Sequence, residues 1–159
     1  MTRSALVRTS AACLSLCGVL VSSTIFAQER VAEFDVSASV GVRCKVESRG
    51  DIAFGSLDPA QAVNTFSATE VRVACTRGAV YRLNVDNGRS FSTALTTRQM
   101  TSTRGEALPY ALAIDSRGGH GNGWFSPSIV RLSASVRGLD YVDLPGGQYQ
   151  DVIRISVEY

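Results

Sequence analysis

The sequence predicts an all-β protein, and three observations lead to this prediction. Its segments are short, and several alternate apolar with polar residues, which is the two-residue period of a strand with one buried face. Gly, Asn, Asp and Pro separate these segments, as expected of turns. No stretch carries apolar residues at the spacing of a helix face. Strands spaced in this way fit a sandwich or a barrel.

Residues 1–27 have the pattern of a secretory signal. Arg3 and Arg8 form a basic start, an apolar run follows, and Ala27 precedes the expected cleavage point. A lipoprotein signal at Cys17 fits less well, because a large residue precedes that cysteine. Removing 27 of the 159 residues leaves an exported chain of 132 residues.

The composition of residues 28–159 indicates one domain without net charge. Their length suffices for a single hydrophobic core. Arg3 and Arg8 leave with the signal, so the 16 basic residues become 14 against 14 acidic ones, and no nucleic-acid partner is indicated. Cys44 and Cys75 are the cysteines that remain, and an oxidising compartment favours a disulfide between them.

Residues 28–42 open the exported chain with a strand pattern. From Phe34 onward every second residue is apolar, through Val36, Ala38 and Val40. A strand at a chain end or sheet edge leaves N–H and C=O groups unpaired and attracts another strand. The pattern therefore indicates assembly through this segment, and the alternative is an ordinary first strand in the domain's own sheet.

Further strands are expected along the rest of the chain. The candidates are the segments 52–54, 70–74, 80–85, 110–115, 129–136 and 151–159. Asp86-Asn87-Gly88 predicts a tight turn, and the Gly-rich segment 117–123 predicts a flexible loop. A short helix over residues 59–62 is an alternative to a loop there.

The last candidate strand alternates clearly. Ile153, Ile155, Val157 and Tyr159 share one face, with polar residues between them. Their simplest role is to contribute to the core. Because chain ends usually fray, a strand that runs to the last residue must be held by a partner.

Several motifs occur in an order that is typical of one protein family. They are Cys44 ahead of Ile52-Ala-Phe-Gly55, Val71-Arg-Val-Ala-Cys75-Thr76, Tyr81-Arg-Leu-Asn-Val85-Asp86-Asn-Gly88, Leu108-Pro-Tyr110, Gly123-Trp124, Val136-Arg-Gly138 and Gly147-Gln-Tyr149-Gln-Asp151. Together they resemble the spore coat protein U domain family, which includes Csu-type pilin subunits of the archaic chaperone–usher pathway. The chain departs from the family pattern where Phe125 follows Trp124, since glycine is frequent there.

The resemblance implies an incomplete immunoglobulin-like β-sandwich that is completed by a donor strand. In this interpretation residues 28–42 are the donor segment and residues 43–159 are the pilin domain. A periplasmic chaperone would lend a strand first, and the donor segment of an identical or related pilin subunit would replace it at an outer-membrane usher. The donor side chains that would enter the neighbour's pockets are Phe34, Val36, Ala38 and Val40.

The same resemblance gives the last strand and the disulfide a second role. A chaperone strand would pair beside the strand that carries Ile153, Ile155, Val157 and Tyr159. The disulfide would anchor the domain where the donor segment leaves it. We therefore expect a structural pilus subunit at the cell surface, serving adhesion or biofilm formation. The alternative is a secreted coat or matrix protein that closes its own sandwich as a monomer.

No catalytic, metal or cofactor site is indicated. The only histidine, His120, lies among glycines, where a solvated side chain is expected, and no nucleophile motif accompanies it. With both remaining cysteines assigned to a disulfide and no histidine cluster, a metal site lacks ligands. The sequence thus predicts a structural protein without a cofactor rather than an enzyme.

Overall fold

The computed structural model of the protein describes residues 28–159. The predicted secretory signal, residues 1–27, lies outside the described residues. Of the described residues, 28–38 belong to one unit, and Ser39–Tyr159 form a second, compact unit. In the first unit, residues 28–38 carry no strand and are exposed.

Nine β-strands and one short 3-10 helix make up the regular structure of residues 28–159, and this range contains no α-helix. In chain order they are β1 (Cys44–Ser48), β2 (Thr65–Cys75), β3 (Val80–Val85), β4 (Arg98–Ser102), β5 (Ala107–Ile114), β6 (Gly118–His120), β7 (Ser128–Val136), the 3-10 helix (Gly138–Asp140), β8 (Tyr149–Gln150) and β9 (Ile155–Glu158). The prediction of an all-β protein is confirmed.

The strands form two sheets that face each other as a sandwich. One sheet has six strands in the order β1-β2-β7-β5-β4-β8, and the other has three in the order β6-β3-β9. Neighbouring strands are antiparallel throughout both sheets. The longest ladder joins β2 to β7, from the pair Thr65–Val136 at one end to the pair Val73–Ser128 at the other.

The core lies between the sheets and follows from the alternation along the strands. The two-residue period places Val71 and Val73 of β2 on one face, where both are buried. Leu132 of β7 joins them, and Tyr81 and Leu83 of β3 close the cluster from the other sheet. Burial of each valine or leucine side chain contributes about 1.5–3 kcal/mol, so this cluster is a principal source of stability.

A disulfide closes one end of the sandwich. Cys44 and Cys75 are bonded and lie directly opposite each other in the β1–β2 ladder. Cys75 is buried in the core cluster, and Cys44 packs against that cluster. The bridge therefore ties the first strand of the compact unit to the core.

The prediction of a strand over residues 52–54 is wrong. Ile52 and Phe54 are half-buried and Ala53 is exposed, so the alternation is present, but this stretch pairs with no strand of the described chain. Ile52 and Phe54 pack against buried residues of the core instead. Alternating burial arises here from side-chain packing without a backbone ladder.

The Gly-rich segment is not the flexible loop that the sequence predicts. Gly118–His120 form β6, which pairs with residues 80–82 of β3. A Cβ atom on Gly118 would lie 2.7 Å from the carbonyl oxygen of Tyr81, so glycine permits a close approach of the two strands. The glycines in this segment serve strand pairing rather than flexibility.

The short helix considered for residues 59–62 is absent. The backbone N–H of Gln61 donates to the carbonyl oxygen of Asp58 at 3.1 Å, and the chain turns at this point. Ala62 has a φ of 49°, which lies outside the right-handed helical region. The turn therefore ends where a helix would have to continue.

Candidate functional site

An open groove between the two sheets is the principal candidate for a binding site. Strands β2, β4, β5 and β7 line it from the six-stranded sheet, and the last strand with the residues before it lines the opposite side. Its volume is about 590 Å³. The aliphatic, methionine and phenylalanine residues that line it are Ile52, Phe54, Val71, Met100, Leu112, Leu132, Ala134, Val152, Ile153 and Ile155. Open apolar surface of this kind usually marks a place where a partner binds.

Strand β9 forms part of the groove wall and is also an edge of its sheet. It pairs with β3 from Arg82–Glu158 to Val85–Ile155. On its other side β9 has no strand neighbour within residues 28–159. An unpaired edge presents a row of N–H and C=O groups. An unpaired edge and apolar pockets beside it are the two features by which a sheet accepts an additional strand.

The residues predicted for the last strand fall into two groups. Ile153, Ile155 and Val157 are half-buried and pack against the core clusters. Tyr159 is 56% exposed, so its assignment to the core is wrong. The physical reason is that the β3–β9 ladder ends at Glu158, and Tyr159 lies beyond the part of the strand that the sheet holds.

Asp86 fixes the start of the last strand. Its carboxylate Oδ1 accepts hydrogen bonds from the backbone N–H of Arg154 at 2.9 Å and of Gly88 at 3.0 Å. The backbone N–H of Asp86 donates to the carbonyl oxygen of Arg154 at 3.0 Å, and that of Arg89 donates to Val152 at 3.2 Å. The turn after β3 therefore sets the position from which the open edge begins.

A buried tyrosine and a carboxylate lie at the groove. The hydroxyl of Tyr110 donates to Asp151 Oδ2 at 2.6 Å, and the backbone N–H of Ser90 donates to Asp151 Oδ1 at 3.1 Å. Burial raises the pKa of Tyr110, and the hydrogen bond to Asp151 and its negative charge raise that pKa further. This contact ties β5 to the residues that lead into the last strand.

The apolar side chains of the predicted donor segment are exposed to solvent. Phe34 is 85% exposed, Val36 is 87% exposed, and Ala38 and Val40 are exposed as well. Residues 28–43 form no strand. The structure therefore places these four side chains in solvent and not in the core of the sandwich.

The chain enters the compact unit beside the disulfide. The carbonyl oxygen of Arg43 accepts from the backbone N–H of Thr76 at 2.9 Å, and the N–H of Arg43 donates to Thr76 Oγ1 at 3.0 Å. Cys44 follows Arg43 and Cys75 precedes Thr76, and a disulfide joins the two cysteines. Two hydrogen bonds and a covalent bridge thus hold the chain directly after the apolar segment.

The described residues carry no arrangement typical of a catalytic or metal site. His120 is exposed on β6. Within residues 28–159, no group of three or more His, Cys, Asp or Glu side chains is placed to hold a metal ion. None of the helices in this range has the length and apolar character needed to cross a membrane.

The comparison with known protein families identifies the family of the chain. The family model described as Spore Coat Protein U domain matches residues 30–156. The chain belongs to the Spore Coat Protein U domain family. The matched range includes most of the apolar N-terminal segment as well as the sandwich, so both are parts of one family domain. The predicted resemblance is confirmed, and the chain is a structural protein rather than an enzyme.

The chain was also compared with curated proteins and with solved structures. No curated protein matches this Spore Coat Protein U domain chain. The crystal structure of the CsuC–CsuE chaperone–tip adhesion subunit pre-assembly complex, from archaic chaperone-usher Csu pili of Acinetobacter baumannii, matches with a TM-score of 0.49 and 21% identity. The match covers 76% of this chain and 40% of that chain, so this chain spans well under half the length of its structural match.

Sequence reasoning missed part of the groove and its anchor. Met100 of β4 and Leu112 of β5 line the groove, and neither received a role from the sequence. Met100 is a single apolar residue among polar ones, and Leu112 lies in the continuous apolar run 110–114, so alternation assigns neither to a groove face. Asp86 carries a clearer signal, because an aspartate ahead of Asn-Gly commonly accepts backbone hydrogen bonds in a turn.

Proposed function

We propose that the chain is a structural subunit of a cell-surface pilus of the chaperone–usher type, which polymerises by donor-strand exchange. The observation that carries this proposal is the apolar groove beside the unpaired edge of β9. A sandwich with this opening is incomplete, because one further strand would cover the groove and pair with the edge. The apolar segment of residues 28–42 in another copy is the donor.

The donor segment has the pattern that the groove requires. Its apolar side chains lie on one face of an extended chain, and Asp35, Ser37 and Ser39 lie on the other. The first set would enter the groove while the polar set stays in solvent. Ala38 is the small member of the inserted set, so its pocket would be the shallowest and the easiest place for strand exchange to begin.

The energy available is sufficient for a noncovalent polymer. If each of the four inserted side chains buries about 80 Å², burial supplies roughly 8 kcal/mol at about 25 cal/mol per Å², before the cost of ordering the donor. The backbone hydrogen bonds to the β9 edge add to this value and set the register. Registers shifted by one residue would direct the polar face inward.

The open groove also requires a cover before polymerisation. Exposed apolar surface beside an unpaired edge favours aggregation. A periplasmic chaperone that lends a strand beside Ile153, Ile155, Val157 and Tyr159 would provide this cover. Exchange at an outer-membrane usher would then release the subunit into a fibre at the cell surface, where a role in adhesion or biofilm formation follows.

The first test is the oligomeric state of the exported chain. The full chain and a variant that lacks residues 28–42 are expressed in a periplasm, and unboiled samples are run on a denaturing gel. We expect a ladder of SDS-resistant multimers from the full chain and none from the truncated variant. A soluble monomer from the full chain would contradict the proposal and favour a sandwich closed by its own segment.

A matched pair of substitutions tests the orientation of the donor. Val36→Asp places a charge on the face that enters the groove, and Ser37→Asp places the same charge on the solvent face. Both residues are exposed in the described chain, so neither substitution disturbs the sandwich core. We expect Val36→Asp to abolish the ladder and Ser37→Asp to retain it. Equal ladders from both variants would exclude insertion of this face.

A further inference from the structure

Both ends of the sandwich carry exposed apolar side chains. The β2–β7 ladder connects the two ends, from Val73–Ser128 at one to Thr65–Val136 at the other. Eight residue steps separate these pairs, which corresponds to about 26 Å at about 3.3 Å per residue. We call the end next to the disulfide the hinge pole and the opposite end the far pole.

The hinge pole presents an aromatic turn. Trp124 and Phe125 occupy the corner of a turn in which the N–H of Ser126 donates to the carbonyl oxygen of Gly123 at 3.1 Å. Phe125 is 96% exposed, and Trp124 is also exposed. The N–H of Gly123 donates to the carbonyl oxygen of Cys75 at 3.2 Å. The aromatic turn is therefore attached directly to the disulfide end of β2.

The chain leaves the sandwich at the same pole. Arg43 is hydrogen-bonded to Thr76, which is the residue after Cys75. The aromatic turn and the exit of the apolar segment thus both contact the short stretch formed by Cys75 and Thr76. Three residues separate Val40 from Cys44, so the Cα atoms of these two residues can lie at most about 14 Å apart.

The far pole presents an apolar cluster, which consists of the exposed side chains of Val63, Phe66 and Leu139. Two backbone stretches bring them together. The N–H of Gly138 donates to Asn64 Oδ1 at 2.8 Å, and the Tyr141 hydroxyl donates to the carbonyl oxygen of Val63 at 2.7 Å.

The packing at the far pole is close. A Cβ atom on Gly138 would lie 1.6 Å from the carbonyl oxygen of Ala62, so only glycine fits there. The 3-10 helix that carries Leu139 is therefore held firmly against the stretch that carries Val63. The far-pole cluster is a fixed surface rather than a loose loop.

We propose that the aromatic turn of one copy packs against the far-pole cluster of the next copy in the fibre. This inference rests on the proposed donor-strand function. With a linker of at most about 14 Å, a copy whose segment fills its neighbour's groove must place its hinge pole against that neighbour. A contact between two different surfaces of successive copies continues as a filament when the rotation between the copies does not close a ring.

The position of the groove agrees with this contact. The last strand runs from the far pole, where Ile155 pairs with Val85, toward the hinge pole, where Glu158 pairs with Arg82. Val80 marks the hinge end of β3, because the N–H of its neighbour Ala79 donates to the carbonyl oxygen of Thr76. A donor strand antiparallel to the last strand would therefore leave the groove at the far pole.

Photo-cross-linking in the assembled fibre tests the contact. Phe125 is replaced by the photoreactive residue p-benzoylphenylalanine in the full chain, and multimers are irradiated, boiled and run on a denaturing gel. Boiling separates the noncovalent ladder, so only photochemical adducts remain as dimers. The matched control carries the same photoreactive residue at Ser133, which is exposed in the middle of β7 and pairs with Ala68, between the two poles.

We expect a covalent dimer from the Phe125 position at a yield several-fold above that from Ser133, with the adduct mapping to residues 62–66 or 138–140 of the other copy. Adducts elsewhere, or no dimer from a fibre whose unboiled ladder is intact, would overturn the contact and leave donor-strand exchange standing. An unsubstituted chain that forms no ladder would overturn both. A second variant, Phe125→Ser, is expected to retain the unboiled ladder, since it leaves donor and groove unchanged.

Discussion

The hydroxyl of Tyr110 shows how a single polar group is accommodated in the groove. Its ring is buried, and its proton is donated to Asp151 at 2.6 Å. A hydrogen bond to a charged group contributes about 1.5–3 kcal/mol, whereas a buried hydroxyl without a partner costs about 1–3 kcal/mol. The contact therefore stabilises the neutral phenol and couples it to the start of the last strand.

The raised pKa of Tyr110 predicts a loss of stability at alkaline pH. In the unfolded chain the phenol ionises near its ordinary pKa of about 10, while in the folded chain it stays protonated to higher pH. The contribution of Tyr110 to the free energy of unfolding is thus complete below pH 10. Above pH 10 it decreases by at most about 1.4 kcal/mol per pH unit. Urea unfolding of the full chain at pH 9 and pH 11 measures this difference.

Tyr110→Phe removes the ionisable group and serves as the test. We expect this variant to be less stable at pH 9, because Asp151 loses one donor, but to lose less stability than the unsubstituted chain between pH 9 and pH 11. Tyr159→Phe is the matched control, since Tyr159 is exposed, and should follow the unsubstituted chain. Equal losses in all three proteins would refute the assigned role of Tyr110.

At the scale of the element, the last strand is anchored at its start and open along one edge. Asp86 holds the N–H of Arg154, and β3 pairs with Ile155–Glu158. The side chains of Ile153 and Ile155 face the groove. A strand that accepts a partner must be fixed before the partner arrives, because an ordered edge lowers the entropy cost of pairing. The anchor at Asp86 meets this requirement.

Asp86→Ala is expected to loosen this anchor. The substitution leaves the N–H groups of Arg154 and Gly88 without their carboxylate acceptor, and we expect the domain to lose about 1–3 kcal/mol of unfolding free energy. Amide hydrogen exchange at Arg154 should accelerate by more than exchange in the β2–β7 ladder.

Asp143→Ala is the control for this substitution, because Asp143 is an exposed aspartate. Its unfolding free energy should change by no more than about 0.5 kcal/mol. The assigned role of Asp86 would be wrong if both variants unfolded at the same urea concentration, or if exchange at Arg154 remained as slow as before.

A strand could be predicted from the sequence when burial of one face gives it a long apolar alternation. The long apolar alternations, such as 129–136 and 80–85, correspond closely to β7 and β3 because one face of each strand is buried. Strand β4 lies between β5 and β8 and was missed because its residues do not alternate, and β8 was missed because it consists of two residues at the sheet edge. Residues 52–54 were mistaken for a strand because packing alone gave them an alternating pattern.

The sequence predicted only the part of the groove that a single strand forms. The apolar face of the last strand was visible in the sequence, apart from Tyr159, which lies beyond the ladder. The opposite wall of the groove was not, because Met100 and Leu112 come from different strands and meet only through the strand order β7-β5-β4. Strand order depends on long-range pairing, which local periodicity does not encode.

At the scale of the whole molecule, the sandwich leaves the apolar groove open, and donor-strand exchange as proposed would cover it. The groove interrupts the contact between the two sheets, while the apolar segment that matches it lies in an exposed part of the chain. Stability and assembly are therefore coupled, since any strand that fills the groove stabilises the folded state by binding it and not the unfolded chain. In the proposed fibre, each subunit is therefore more stable than it is in isolation.

This coupling predicts that a free donor peptide raises the melting temperature of the domain. A synthetic peptide of residues 28–42 is added to the variant that lacks this segment, and thermal unfolding is followed by circular dichroism. At a free peptide concentration of a hundred times Kd, binding should add about 2.7 kcal/mol to the free energy of unfolding. For a domain of this size, this gain corresponds to an increase of roughly 10 °C in the melting temperature. The same peptide with Val36→Asp should have little effect, because its charge would enter an apolar pocket. The coupling would be refuted if both peptides shifted the melting temperature equally, since backbone pairing without insertion into the groove would then explain the gain.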